Sequence, residues 1–179
     1  SCHEEIMRIN RLVGDLEKLA RYESENLLLT KTEFDVSELI GHIIRNFENE
    51  FAAKDIEIRF TGDREIMTAD RDKISQVIIN LLSNALKYTP PGGMVQVSVE
   101  GADDVTRIAV RDNGTGIPPE DLPHIFERFY RADKSRNRLT GGAGIGLTIA
   151  KAIVDAHKGS IQVRSKVGEG TEFTITLPR

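Results

Sequence analysis

Apolar side chains recur along the chain at two spacings, and the points where the spacing changes mark out its elements. Ile6, Ile9, Val13, Leu16 and Ala20 follow steps of three and four, a heptad seam that predicts one helix over residues 3–23. Leu12 and Leu19 widen this face beyond a two-stranded seam. The helix is therefore expected to pack in a bundle rather than dock on the domain that follows it. A break at Glu23-Ser24-Glu25-Asn26 separates it from the next segment.

Residues 27–34 read as a short strand. Asp35, with Glu38 three later, makes a capping box for a helix running to about residue 53. One face of that helix carries Leu39, Ile40, Ile43, Ile44, Phe47 and Phe51. Ile56, Ile58 and Phe60 alternate as in a strand, and residues 65–69 form another. A helix over 71–88 is stopped by Pro90-Pro91-Gly92-Gly93. Strands at 95–100 and 106–111 join through Asp103-Asp104. A charged stretch rich in glycine and proline fills 112–144, and a helix covers about 145–157. A hairpin, 160–165 and 171–177, turns through Val167-Gly168-Glu169-Gly170. The strands come in pairs between helices, without regular βαβ alternation. This predicts an α+β two-layer sandwich: one mixed sheet of about five strands, covered on one face by three helices and preceded by one long N-terminal helix. The expected division is residues 1–24 and residues 25–179.

Composition narrows the function. The net charge of −4 supplies no basic field for nucleic acid or an anionic membrane. A bound polyanion would then need local positive charge or a metal. The single cysteine, Cys2, excludes an internal disulfide, and no Cys/His cluster has zinc spacing. No run of eighteen apolar residues and no signal peptide occurs, so a soluble, cytoplasmic fragment is expected. Ser1 in place of Met is read as the mark of an excised piece whose parent carries a membrane segment.

Three constellations carry chemistry. Beside the buried stripe of the 71–88 helix run Asn80, Asn84 and Lys87, whose spacings of four and three put them on one edge. Asparagine is a mediocre helix former, so two in mid-helix need a reason. An amide oxygen ligates Mg²⁺, an amide nitrogen donates to phosphate, and lysine adds a point charge. A merely solvated edge is the competing reading, at about even weight. Asp112-Asn113-Gly114-Thr115-Gly116-Ile117 ends a strand, where glycines admit close approach and Asp112 can accept from an exocyclic amine. Alone, this segment reads better as a plain Asx turn. Gly141-Gly142-Ala143-Gly144-Ile145-Gly146-Leu147 opens a helix, whose first N–H groups bind phosphate. It is neither a dinucleotide fingerprint nor a Walker loop: no apolar strand precedes it and no Gly-Lys-Ser/Thr follows. Upstream, Phe126-Glu127-Arg128-Phe129-Tyr130-Arg131 and the charged 132–140 read as a lid, with Phe126 and Phe129 anchoring its base.

Together these segments resemble the catalytic domain of the sensor histidine kinases, within the superfamily shared with gyrase and the Hsp90 chaperone. Their order matches the N box (72–90), G1 box (112–117), F box (126–131), G2 box (142–147) and the later Gly168-x-Gly170-Thr171. The match covers 35–179, and residues 3–23 resemble the second helix of the family's dimerisation and phosphoacceptor domain. The resemblance implies a Bergerat-type fold that binds ATP and Mg²⁺. Asn84 would ligate Mg²⁺, with Asn80 beside it, and Lys87, Tyr88 and Arg131 would meet the phosphates or lid. Asp112 would recognise the adenine amine, helped by Gly114, Gly116 and Thr171. Gly142, Gly144 and Gly146, with Ile145 between, would wrap the triphosphate, and Ile117 and Leu147 would line the base pocket. Catalysis would fall to Asn80, Lys87 and Arg131.

One departure is informative. ATP-hydrolysing members of the superfamily carry a water-activating glutamate where this chain has Asn80, and an amide cannot take a proton. Hydrolysis is then expected to be slow, which keeps the γ-phosphoryl for a histidine and, beyond it, a response regulator's aspartate. None of His3, His42, His124 and His157 has the family's acceptor context, so the acceptor is expected outside this chain, on its own dimerisation domain in a homodimer. The alternatives are a stand-alone ATPase or serine kinase of the superfamily, and a non-catalytic nucleotide-sensing or dimerisation module.

Overall fold

The computed structural model describes residues 2–24, 28–127 and 146–179, with backbone alone for 15–24. Helix α1 spans Cys2–Ser24, followed by β1 (Thr32–Asp35), α2 (Val36–Ala53), β2 (Glu57–Gly62) and β3 (Ile66–Ala69). Helix α3 (Arg71–Tyr88), β4 (Met94–Ala102) and β5 (Val105–Asp112) come next. Helix α4 (Gly146–Ala156) and the strands β6 (Ser160–Lys166) and β7 (Gly170–Pro178) complete the fold.

Five strands form one mixed sheet in the order β2-β4-β5-β7-β6. The β2–β4 pair is parallel and the other three pairs are antiparallel. Period-two alternation gives this sheet one apolar face. Val95, Val97 and Val99 of β4, Ile108 and Val110 of β5, and Phe173, Ile175 and Leu177 of β7 are all buried. The core is completed by Ile40 and Ile43 of α2, Ile78, Leu81 and Leu82 of α3, and Ile149 and Ile153 of α4. The two-layer sandwich expected from the pattern is thus present, with α2, α3 and α4 as its helical layer.

Within the strand expected at 27–34, the described residues 28–31 depart from expectation. Only Thr32–Asp35 is a strand, and it pairs antiparallel with β3 in a separate two-stranded ribbon. The limit is set by β3, four residues long and ended by Asp70, the N-cap of α3. Leu28, inside the expected strand, lies in solvent at 84% exposure. Asp35 caps α2 by accepting from the N–H groups of Ser37 and Glu38. The Glu38 side chain stays exposed, so the capping box is half made.

Of the α1 seam, Ile6, Ile9 and Val13 are 56%, 48% and 47% exposed, while Leu12 packs against the core. Among the described side chains of this helix, Leu12 of the second line thus touches the domain, and Ile6, Ile9 and Val13 of the heptad line are uncovered. Among the described residues, no helix is long and apolar enough to cross a membrane.

Candidate functional site

The rotation of α3 is fixed by its buried stripe, Ile74, Val77, Ile78, Leu81, Leu82 and Ala85. That leaves Asn80, Asn84 and Lys87 half-buried along one edge. The Asn80 amide is used at both ends: Gln76 Nε2 donates to its Oδ1 at 2.7 Å, and its Nδ2 donates to the Gly146 carbonyl at 3.0 Å. The edge is thereby joined to the first described turn of α4. Asn84, one turn on, makes no side-chain hydrogen bond among the described residues. Lys87 Nζ lies 5.5 Å from the centroid of the Tyr88 ring. Gln76 was not singled out from sequence, although it sits four residues before Asn80 and extends the same line.

The C-terminus of α3 is held from α2. Lys54, the C-cap of α2, donates through Nζ to the carbonyls of Leu86 at 2.6 Å and Lys87 at 3.2 Å. These are carbonyls a helix end leaves without partners, at the negative pole of its dipole. The Tyr88 carbonyl in turn accepts from the Thr115 N–H at 3.3 Å, and a Cβ at Gly114 would collide with it. The loop after β5 is therefore seated on the end of α3.

Asp112 closes β5 and is buried. Its Oδ1 accepts from the N–H groups of Gly114 at 2.9 Å and Thr171 at 3.3 Å, and Oδ2 has no partner among the described residues. Burial pushes its carboxyl above the usual carboxylate range, and the two N–H donors only partly offset this. Gly116 has φ +77°, and a Cβ there would strike the Lys166 carbonyl. Only glycine lets this loop lie against the β6–β7 turn. The loop is tied down by Gly168 N–H donating to Thr115 O at 2.9 Å, and Ile117 N–H donating to Ser165 Oγ at 2.7 Å. Ser165 was also missed, since its link to Ile117, 48 residues away, arises only through the fold.

At the other wall, Thr148 Oγ1 of α4 donates to the Phe126 carbonyl at 2.9 Å. The Phe126 ring meets Phe173 edge-on at 6.4 Å, so this phenylalanine does anchor the segment that precedes the expected lid. Leu147 and Ile117 are half-buried against the core. Arg131, Gly142, Gly144 and Ile145 lie outside the described residues, as do Phe129 and the rest of the lid.

The described walls suit one kind of ligand. Asp112 offers an acceptor to a base amine, and the α3 edge and the start of α4 offer amide and cationic groups to an anion. No group of three or more His, Cys, Asp or Glu able to hold a metal occurs among the described residues. A divalent ion would here rest on amide oxygen and on the oxygens of its own ligand.

Comparison with known proteins gives the family. Residues 69–179 match the family described as histidine kinase-, DNA gyrase B- and HSP90-like ATPase. The chain is 40% identical over 175 residues to the sensor histidine kinase CusS of Escherichia coli K12, spanning 98% of this chain and 36% of that protein. It is 41% identical over 177 residues to the sensor histidine kinase WalK of Bacillus subtilis 168, spanning 97% and 29%. It thus spans about a third of the length of these relatives. Among solved structures, full-length ShkA in complex with AMPPNP superposes with a TM-score of 0.84 at 28% identity, over 94% of this chain and 35% of that one. The histidine kinase ThkA in complex with the response regulator TrrA gives 0.78 at 30% identity, over 95% and 48%.

Proposed function

Because the chain belongs to the histidine kinase-, DNA gyrase B- and HSP90-like ATPase family, and within it is an ATP-binding catalytic domain of the histidine kinase type, we propose that it binds ATP with Mg²⁺ and donates the γ-phosphoryl to a histidine of a dimerisation domain. From there the group passes to a response regulator's aspartate. The observation that carries this reading is the Asn80–Gly146 hydrogen bond, which brings the amide edge of α3 to the start of α4. The complexes of ShkA with AMPPNP and of ThkA with TrrA support the nucleotide and the regulator as partners.

In this reading Asp112 accepts from the adenine amine beside Thr171, Gly114 and Gly116, with Ile117 and Leu147 against the base. Asn84 holds Mg²⁺, with Asn80 beside it, and Lys87, Tyr88 and Arg131 attend the phosphates and lid. Gly142, Gly144, Ile145 and Gly146 surround the triphosphate. Bound Mg²⁺ supplies charge neutralisation between the phosphates; positioning by the chain does most of the rest. Asn80 stands where hydrolytic relatives hold a base, so water is left unactivated. Residues 1–24 are the second helix of the dimerisation hairpin, and residues 25–179 the catalytic domain. The exposed Ile6-Ile9-Val13 line supports a homodimeric helical bundle.

None of the four histidines is the acceptor in this reading. His157 is the clearest case: it is buried, its Nε2 accepts from Asp70 N–H at 3.0 Å, and its Nδ1–H donates to Ile153 O at 2.8 Å.

Thermal unfolding with and without Mg-ATP tests the proposal. A ligand at a hundred times its Kd adds about 2.7 kcal/mol to a native state that alone binds it. A raised melting point, slow hydrolysis and no label retained on His3 from γ-labelled ATP are expected. An unchanged melting point would point to a non-catalytic module, fast turnover to an ATPase, and acid-labile label on His3 to an acceptor within the chain.

A further inference from the structure

Ser165 faces Thr171 across the β6–β7 pair, and its hydroxyl meets three polar groups. Ser165 Oγ lies 2.7 Å from Ile117 N, 2.9 Å from Gly170 O and 2.8 Å from Thr171 Oγ1. A hydroxyl has one proton and two lone pairs. The Ile117 N–H can only donate and the Gly170 carbonyl can only accept. The Ser165 proton therefore goes to Gly170, and one lone pair takes the Ile117 N–H. The remaining lone pair faces Thr171 Oγ1, so the Thr171 hydroxyl is the donor in that contact. With its proton spent inside the protein, Thr171 has only lone pairs left for a ligand.

Thr171 is also the cross-strand partner of Asp112, and its N–H donates to Asp112 Oδ1 at 3.3 Å. The Asp112 carboxylate likewise only accepts. Two acceptors thus stand side by side, suited to an amine and opposed to a carbonyl oxygen.

We infer that Ser165 is a specificity-determining positioning residue: by taking the Thr171 proton it makes this wall accept only, and so selects a 6-aminopurine nucleotide over a 6-oxopurine one. The inference rests on the nucleotide-binding reading proposed above. It adds a residue that need not touch the nucleotide and that acts through the direction of one hydrogen bond. Without Ser165, the Thr171 hydroxyl is free to turn and donate to a carbonyl oxygen.

Calorimetric titration with Mg-ATP and with Mg-ITP, which carries a keto oxygen in place of the amine, tests it on the chain and on Ser165→Ala and Ser165→Thr. The unsubstituted chain should prefer ATP. Ser165→Ala should narrow the ATP:ITP affinity ratio by roughly tenfold, the scale on which a mismatched polar group discriminates. Ser165→Thr keeps a hydroxyl and should keep the ratio. If both affinities fall together in Ser165→Ala with the ratio intact, Ser165 only holds the loop and the inference is wrong. Equal binding of ATP and ITP by the unsubstituted chain overturns the inference but leaves the nucleotide-binding reading standing. Binding of neither nucleotide removes both. Should melting curves show Ser165→Ala unfolded, Ser165→Cys, whose thiol is a weak acceptor, carries the same comparison.

Discussion

Lys54 Nζ donates to the Leu86 carbonyl at 2.6 Å, across a sequence separation of 32 residues. The end of α2 thus caps the end of α3, next to Lys87 and Tyr88. A cation at a helix C-terminus and a charged hydrogen bond each contribute on the order of 1 kcal/mol. Lys54→Met should lower stability by about 1–2 kcal/mol in urea unfolding. Mg-ATP affinity should fall as well, because the loop seated on Tyr88 loses its support. Lys54→Arg should recover part of both. Unchanged nucleotide affinity in a destabilised Lys54→Met protein would confine the residue to a structural role.

Asp112 couples stability and binding in opposite directions. Burial raises its folded pKa above the unfolded value of 3.8. Its contribution to stability is complete below that value and is lost as pH rises through the folded pKa, so the ionised carboxylate costs stability at neutral pH. Asp112→Asn keeps an oxygen for the N–H groups of Gly114 and Thr171 and removes the charge. Its melting point at pH 7 should equal or exceed that of the parent. Its ATP affinity should drop by roughly tenfold or more, since an NH₂ group would then meet the base amine. A clear loss of stability would contradict this account.

His157 gives an acid-sensitive term. Burial lowers its pKa below 6.5; Lys31 and Lys73 add to this, while the Ile153 carbonyl and Asp70 oppose it. Above pH 6.5 the ring is neutral in both states. Below it the unfolded chain takes up a proton that the native state refuses, so stability falls as pH drops toward the folded pKa. The slope from one such group is at most about 1.4 kcal/mol per pH unit. Urea unfolding at pH 7 and pH 5 should show this loss, and His157→Gln should show less of it. Equal pH dependence in the two proteins would assign the loss to other groups.

The uncovered line of α1 should be nearly silent in the isolated chain. Ile9 and Val13 are about half exposed, so Ile9→Ser with Val13→Ser should change stability by no more than about 0.5 kcal/mol per site. If this line is a dimer seam, the pair should weaken self-association of a longer chain carrying the whole hairpin, measured by sedimentation. A large loss of stability in the present chain would mean that these side chains belong to its own core.

What the sequence determined by itself is what its neighbours along the chain control. Helix α3 was legible at about 71–88 from its apolar stripe and the prolines and glycines after it, and Asp70, accepting from Lys73 N–H, fixes its start. The polar edge of Asn80, Asn84 and Lys87 was legible because helical spacing of three and four is a local rule. The β4–β5 and β6–β7 hairpins followed from alternation and turn residues for the same reason. The tertiary structure alone decided which polar atoms meet across long separations. Asn80 reaches Gly146 over 66 residues and Ser165 reaches Ile117 over 48. It also decided that β1 and β3 leave the main sheet as their own ribbon, and that Asp70, His157 and Ile153 form one buried chain of hydrogen bonds. Such partnerships depend on the packing of the hydrophobic layer, which sets helix rotation and strand order, and a side chain's sequence neighbours do not specify which distant group that packing brings to it.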